Sequence, residues 1–211
     1  MRYLIMSDIH GNLPALEKVI SSEKVGGYLM LGDVVNYAPW SNECVDLLDS
    51  LRNCVSLIGN HEEYFINRHC PVKSDLVKTF YNQCIEKFNR FEIISAYQKE
   101  VSFYDFTCVH TIENKYVFHD TDINPDKNHL IGHSHQQYIR EENNCSIINP
   151  GSVGQNRKYI NVINYIIYHS DNNTFELKHL TYNVDLVLNK MKAEKFPQEC
   201  IDYYKNKSIM N

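Results

Sequence analysis

Short apolar runs alternate with amphipathic segments over the first third of the chain. The runs at residues 3–6, 28–32 and 55–59 have the length of buried strands. Between them, apolar residues at helical spacing predict helices over residues 15–22 and about 42–51. We therefore expect repeated strand, loop and helix units in a layered α/β architecture.

The pattern changes twice after residue 60. Residues 62–97 have apolar positions near helical spacing, and we expect a helical insert that packs on the sheet edge, covers a site or forms a partner surface. No repeat or linker interrupts the sequence, which predicts a single domain over residues 1–211. The remaining predictions are strands at 101–106 and 146–148, a hairpin of 159–169 with 174–182, a helix at about 185–195, and a tail that is a short helix or a frayed end.

The predicted strands end beside side chains that bind metals. Asp8 and His10 follow the first run, and Asp33 follows the second. In extended backbone, residues two apart leave the same face, so Asp8 and His10 would hold one cation together. The Asp33 carboxylate has enough lone pairs to bridge two cations. Later strand ends carry Asn60, His61, His110, His133 and His135.

Each of these pieces alone also has a purely structural explanation. Asp33 and Asn60 are common turn residues that cap their own backbone. Asp8 and His10 fit a solvated strand end, and later histidines fit a strand at the surface. The joint pattern favours a ligand site, because open α/β sheets bind ligands at strand ends. Mixed imidazole and carboxylate donors suit Mn, Fe, Zn, Ni or Co better than Ca.

Five motifs occur within roughly residues 1–157: Ser7-Asp8-Ile9-His10-Gly11-Asn12, Gly32-Asp33-Val34-Val35-Asn36-Tyr37, Gly59-Asn60-His61-Glu62, Gly132-His133-Ser134-His135 and Asn149-Pro150-Gly151-Ser152-Val153-Gly154-Gln155. In their order and spacing they resemble the calcineurin-like metallophosphoesterase family. One motif alone would be weak, whereas the set is specific. The resemblance is greatest to small single-domain bacterial and archaeal phosphodiesterases. It implies an α/β fold, a four-layer β-sandwich flanked by helices.

The resemblance also implies two divalent metal ions, with Mn, Fe, Ni or Zn as the expected elements. Held about 3.5–4 Å apart, the ions would share a hydroxide that attacks phosphorus in line. Asp33 would bridge them. The ligands of the first ion would be Asp8, His10, Asp33 and His135, and those of the second Asp33, Asn60, His110 and His133.

Catalytic and substrate-binding residues follow from the same resemblance. His61 lies outside both implied ligand sets and would protonate the leaving oxygen or stabilise its charge. Asn12 in the first motif and Tyr37 in the second are candidate substrate-binding residues. Arg157, just after the glycine-rich loop, would face an anionic substrate, with solvated loop charge as the alternative.

One position departs from the family pattern. The family usually has glycine after the histidine at the His110 position, and this chain has Thr111. A branched side chain would be strained in a glycine-only conformation. We therefore regard His119 as the substitute ligand if His110 points elsewhere. The short stretch between His110 and His133 predicts an open site.

Composition limits the partners and the compartment. A net charge of −5 argues against an extended nucleic-acid surface. No apolar run has the length of a membrane span, and the amino-terminal strand does not resemble a signal peptide. Seven cysteines, an odd number without Cys-x-x-Cys spacing, favour reduced thiols and a cytoplasmic location. No pattern specifies an oligomeric state.

A phosphodiesterase acting on a small or nucleotide-derived phosphate ester is thus the leading functional hypothesis. A phosphomonoesterase using the same site is the next. A nuclease and a non-catalytic scaffold of the same fold remain as alternatives, the second disfavoured because His61 is present.

Overall fold

Two five-stranded mixed sheets stacked face to face form the frame of the protein, whose computed structural model describes residues 1–210. The strands are β1 (Arg2–Met6), β2 (Gly27–Met30), β3 (Cys54–Ser56), β4 (Glu100–Phe103), β5 (Phe106–Val109), β6 (Asn128–Leu130), β7 (Gln137–Glu142), β8 (Cys145–Pro150), β9 (Val162–His169) and β10 (Thr174–Thr181). The helices are α1 (Leu13–Ser22), α2 (Ser41–Ser50), α3 (Asn60–Ile66), α4 (Asp75–Ile85), α5 (Phe91–Ser95), α6 (Asp185–Ala193) and α7 (Gln198–Lys205).

Parallel strands at the centre of each sheet set the direction of the loops. The first sheet has the order β10-β9-β1-β2-β3, in which β1, β2 and β3 are parallel. The second has the order β4-β5-β6-β8-β7, in which β5, β6 and β8 are parallel. Parallel strands end at the same edge of a sheet, so the loops after them meet there.

Strand β1 is buried on both faces, and the two main layers of the core lie on either side of it. Leu4 points to the helices, and Ile5 points to the second sheet. Ile5 meets Leu130 and Ile148 between the sheets. This arrangement of two stacked mixed sheets, with helices packed on the first, confirms the predicted α/β fold class.

The outer face of the second sheet is covered differently from that of the first. Its small cluster contains Ile131, Tyr138 and Ile147 from the sheet. Val117 and Ile112, from the irregular segment 111–127, pack on them. All seven helices of residues 1–210 instead place apolar residues in the cluster on the first sheet.

Several elements differ from the sequence expectations. The alternating run 101–106 is two strands, β4 and β5, joined by a turn in which Tyr104 has a positive φ of 51°. Strand β7 was not predicted, because its polar Arg140 and Glu142 hide the alternation. For the tail after Pro197, the short helix and not the frayed end is observed: it is α7, whose Tyr204 is buried. No helix among residues 1–210 is both long and apolar enough to cross a membrane.

The insert predicted at 62–97 contains α3, α4 and α5. Phe65, Phe80 and Ile94, one from each helix, are fully buried in the cluster on the first sheet. These helices therefore contribute to the core that supports the strand ends.

The partly buried carboxylate of Glu23 ties the end of α1 to the first sheet. Glu23 accepts hydrogen bonds from Arg2 on β1 (2.8 Å), from the Tyr165 hydroxyl on β9 (2.9 Å) and from Lys178 on β10. Burial would raise the pKa of Glu23, but the bonds from Lys178, Tyr165 and Arg2 outweigh it and lower the pKa. Its stabilising contribution is therefore present above its ordinary pKa of 4.5 and is lost as the pH falls through the lowered folded value.

We expect Glu23→Gln to lower the free energy of unfolding by about 1–2 kcal/mol at pH 7, because an amide replaces a charged acceptor of three donors. Near pH 3 the two proteins should differ less in their free energy of unfolding. Urea denaturation of the variant and of the unsubstituted protein measures this difference. Glu17→Gln, at an exposed position of the same helix, is the control. Equal destabilisation by both substitutions would contradict the role of Glu23.

Candidate metal centre

Loops after the parallel strands bring the predicted metal ligands to one edge of the sandwich. Asp8 follows β1 and Asp33 follows β2, and the Asp8 N–H donates to the Gly32 carbonyl at 3.0 Å. In the second sheet the Gly132 N–H donates to the His110 carbonyl at 3.0 Å. Backbone hydrogen bonds thus fix these loops to each other before any ligand binds.

Several candidate ligands have left-handed backbone conformations. Asp8 (φ 55°), His10 (51°), Asp33 (60°), His133 (66°) and His135 (59°) all have positive φ. The expectation that pairs two apart converge through extended backbone is therefore wrong. Tight turns aim these side chains inward, at a cost that the surrounding hydrogen bonds offset.

The carboxylates and rings form three overlapping groups whose candidate donor atoms lie within 4.8 Å of one another. Asp8 Oδ1 lies 3.3 Å from His135 Nε2 and 3.8 Å from His10 Nε2. Asp33 Oδ2 lies 3.2 Å from His110 Nε2 and 3.9 Å from His10 Nε2. Asp33 thus stands between the two ligand sets. The groups are Asp8, His10 and His135; His10, Asp33 and His61; and Asp33, His110 and His133.

His61 lies closer to these groups than the resemblance implied, since it shares one with His10 and Asp33. Asn60 belongs to the second set by its side-chain oxygen, which is 3.2 Å from His110 Nε2.

Backbone carbonyls orient three of the rings. Since a carbonyl only accepts hydrogen bonds, each Nδ1 in these contacts carries the proton, which leaves Nε2 as a lone-pair donor for a metal. The contacts are His10 Nδ1 to Val35 O (3.3 Å), His110 Nδ1 to Leu31 O (2.7 Å) and His135 Nδ1 to Gln155 O (2.7 Å).

The residues present fit divalent cations. His10 Nε2 and His135 Nε2 face each other at 3.2 Å, and two lone pairs at that distance repel unless a cation lies by them. Asp8 Oδ1 is buried and has no hydrogen-bond partner among residues 1–210. Such an atom is costly unless it has a partner, and a bound ion supplies one.

The pKa values of these groups agree with that fit. Burial lowers the pKa of His135 to about 3 and that of His133 to about 4, so both rings are neutral near pH 7. Burial raises the pKa of Asp8 to about 7. At His110 burial is outweighed by the nearby Asp33 carboxylate, which raises the pKa to about 10. A positive charge is thus favoured beside Asp33, where a metal ion would supply it in place of the proton.

Thr111 does not displace His110 from the site. Thr111 does not have a positive φ, so the expected strain is absent at this residue. His119, the substitute candidate, is exposed, and its backbone N–H donates to Gln136 Oε1 at 2.9 Å. His119 belongs to none of the three groups.

Two of the candidate substrate-binding residues line the site, and the third does not. Tyr37 and Arg157 both line the cavity that contains His10 and Asp33. Asn12 is fully buried: its Oδ1 accepts from the Ala15 N–H at 3.3 Å as the cap of α1, and its Nδ2 donates to the Gly154 carbonyl at 3.1 Å. Both polar ends of Asn12 are engaged, so it joins two loops instead of contacting substrate.

The site has walls that sequence reasoning missed. The ring of Tyr116 stacks on His133 with centroids 4.0 Å apart, so the segment after His110 contributes one wall of the site. Tyr203 and Lys207 come from α7 and the residues after it. Their sequence signal was weak, because the tail was predicted only as a short helix or a frayed end.

Glu62, a motif residue without an assigned role, joins two of the loops. Its carboxylate accepts four backbone N–H groups: Asp33 (2.8 Å), Val34 (2.8 Å), Val35 (3.0 Å) and Gly59 (2.8 Å). Burial, together with the nearby Asp33 charge, raises the pKa of Glu62 to about 7, and the hydrogen bonds from the backbone of Val35, Gly59 and Asp33 oppose that shift. Gly59 also has to be glycine, because a Cβ there would overlap the Asp33 carboxylate.

Comparisons with known proteins agree with this geometry. A family model described as calcineurin-like phosphoesterase matches residues 1–189. An uncharacterized protein of Methanocaldococcus jannaschii is 28% identical over 227 residues, which cover 92% of this chain and 93% of that protein. The crystal structure of a metallophosphoesterase from Sphaerobacter thermophilus has a TM-score of 0.79 at 23% identity and covers 97% of this chain and 99% of its own. The crystal structure of a hypothetical protein from Pyrococcus horikoshii has a TM-score of 0.80 at 16% identity. The match covers 96% of this chain and 97% of that protein. At these identities the two structures show the fold alone.

We expect Glu62→Gln to lower the free energy of unfolding by about 3 kcal/mol, because an amide NH₂ would face backbone donors in a buried site. Urea denaturation measures the loss. The control Glu63→Gln, one residue away and exposed, should change it by less than about 0.5 kcal/mol. Similar stabilities for the two variants would contradict the assigned role of Glu62.

Proposed function

The chain belongs to the calcineurin-like phosphoesterase family and is a hydrolase of phosphoester bonds, and we propose that it acts as a metal-dependent phosphodiesterase on a small or nucleotide-derived substrate. The observation that carries this proposal is the position of Asp33 between two ligand sets, with Oδ2 3.2 Å from His110 Nε2 and 3.9 Å from His10 Nε2. A shared carboxylate is what a pair of neighbouring ions requires.

We propose two ions, with Mn, Fe, Ni or Zn as the candidate elements because the donors mix imidazole, carboxylate and amide oxygen. When bound, they supply positive charge that stabilises the phosphoryl oxygens and lowers the pKa of a water molecule. Asp8, His10, Asp33 and His135 would hold one ion, and Asp33, Asn60, His110 and His133 the other.

His61 is proposed to protonate the leaving oxygen or to stabilise its charge, and its neighbour Asn36 orients the ring for that role. The Tyr37 N–H donates to Asn36 Oδ1 at 2.8 Å, so the amide nitrogen of Asn36 is the atom that faces His61 Nδ1, also at 2.8 Å. Asn36 Nδ2 then donates to Nδ1, and a neutral His61 carries its proton on Nε2. Burial lowers the pKa of His61, which favours the neutral ring, and its Nε2–H would donate a hydrogen bond that stabilises charge on the leaving oxygen.

The cavities allow an organic group beside the phosphate. The site cavity is small, about 80 Å³, and suits a phosphoryl group. A second cavity of about 460 Å³ shares His135 and Arg157 with it. Phe118, Gln136 and Tyr159 line this second cavity and offer apolar surface together with amide groups to an ester group of nucleoside size.

A cytoplasmic location is part of the proposal. All seven cysteines are free thiols, and four of them are buried. Free thiols are typical of a reducing compartment.

The first test measures hydrolysis of bis(p-nitrophenyl) phosphate and of p-nitrophenyl phosphate with added Mn²⁺. We expect faster cleavage of the diester, and a loss of about 10²–10⁴-fold in kcat in His61→Ala with its metal content unchanged. His69→Ala, an exposed histidine of the same region, should keep full activity. Faster monoester cleavage would make the protein a phosphatase, and cleavage of neither substrate by the metal-loaded protein would overturn the proposal.

Metal binding itself is tested by Asp33→Asn. Because Asp33 is proposed to serve both ions, the variant should lose both, not one, when metal content is measured by mass spectrometry after dialysis. Asp46→Asn, at a surface carboxylate paired with Arg90, is the control. Retention of the full metal content by Asp33→Asn would contradict the bridging role.

A further inference from the structure

Two positively charged side chains line the cavity of the metal centre and have no carboxylate partner among residues 1–210. Arg157 and Lys207 both line the site cavity. Among residues 1–210, neither forms a salt bridge with an acidic side chain, whereas Lys178, Lys190 and Arg90 elsewhere on the surface do. Asp33 is the one carboxylate among the residues that line this cavity.

The two cations are held in place by different parts of the chain. Arg157 donates from Nε to the Ser134 carbonyl at 3.0 Å, and its guanidinium carbon lies 5.4 Å from the centre of the Tyr116 ring. Lys207 Nζ lies 4.9 Å from the centre of the Tyr203 ring. Aromatic faces favour a cation near them but leave its N–H groups free to donate. Arg157 retains its terminal N–H groups for a ligand, since none of them bonds to residues 1–210.

The position of Lys207 is fixed by the residues after it. The Ile160 N–H donates to the Ser208 carbonyl at 2.9 Å. Asn161 bonds the backbone of Met210 twice, as donor and as acceptor, at 2.9 Å each. The segment that carries Lys207 is therefore tied to the segment that directly follows Arg157. It lies beyond residues 1–189, the part that the family model matches.

Burial and the nearby Arg157 lower the pKa of Lys207, which agrees with two positive charges close together. The reacting phosphoryl group does not need them for charge balance. The two proposed divalent ions, together with Asp8 and Asp33, would already leave net positive charge where that group lies. A cleft lined by further charge of one sign attracts a ligand of the opposite sign.

We propose that Arg157 and Lys207 bind a second anionic group of the substrate, so that the preferred substrates are phosphate esters with a further phosphoryl or carboxylate group. The inference rests on the proposed phosphoesterase function, since it assigns substrate class to the same site. Tyr37 and Tyr203, with ring centroids 6.3 Å apart, line the same cavity as these two side chains.

The test compares non-hydrolysable ligands by calorimetry on the protein as purified. Methylphosphonate has one anionic group, propane-1,3-bisphosphonate has two phosphonates, and 3-phosphonopropionate has a phosphonate and a carboxylate. We expect the bisphosphonate to bind at least about tenfold more tightly than methylphosphonate. Lys207→Gln should remove about tenfold of that preference and leave methylphosphonate binding unchanged. Lys205→Gln, exposed at the end of α7, should behave as the unsubstituted protein.

The third ligand identifies the source of the second anion. Binding of 3-phosphonopropionate as tight as that of the bisphosphonate indicates a carboxylate, and weaker binding indicates a second phosphoryl group. Equal affinity for methylphosphonate and the bisphosphonate, or a preference unchanged in both Lys207→Gln and Arg157→Gln, would overturn the proposal. Calorimetry needs no turnover, so failure of the anion site is distinguishable from failure to hydrolyse bis(p-nitrophenyl) phosphate.

Discussion

Four backbone N–H groups converge on the Glu62 carboxylate, and the geometry of the metal centre depends on that contact. It joins the loop after β2 to the start of α3, and so sets Asp33 against Asn60 and His61. The Asp33 side chain returns the contact, because its Oδ1 accepts the His61 N–H at 2.9 Å. An acidic residue that belongs to none of the candidate metal-binding groups thereby fixes Asp33, which occurs in two of them. Its location under the loops explains why it is fully buried.

Sequence reasoning brought the candidate ligands together because the strands before them have strong local signals. Asp8 and Asp33 each follow a short apolar run, and parallel strands bring such ends to one edge whatever the loop conformations are. The left-handed turns at these residues were missed, since nothing in a single sequence separates an Asp with positive φ from one at a strand end. Asn12 was assigned to substrate because its long-range partner is not visible in the sequence: the bond from the Ala15 N–H is local, but the bond to the Gly154 carbonyl forms only when residue 154 returns to the first loop.

The walls of the site depend on contacts that are distant in sequence, and these escaped prediction. Tyr116 comes from an irregular segment whose few apolar residues have no period. Lys207 looks like tail charge until the bonds of Ser208 and Met210 to residues 160 and 161 are known. Helices cover the first sheet, and an irregular segment covers the second. The walls of the metal centre therefore come from a helix, with Tyr203, and from the irregular segment, with Tyr116.

The order of these parts along the chain has a consequence for synthesis. All proposed metal ligands lie before residue 136, and both sheets are complete at Thr181, whereas Tyr203 and Lys207 follow only later. A nascent chain emerges from the ribosome at roughly 5–20 residues per second, amino terminus first. The carboxylates and histidines are therefore available to metal ions before the last wall can close beside them. If a metal ion binds during synthesis, it binds to a centre that still lacks the wall formed by Tyr203 and Lys207 and is therefore wider than in the folded protein.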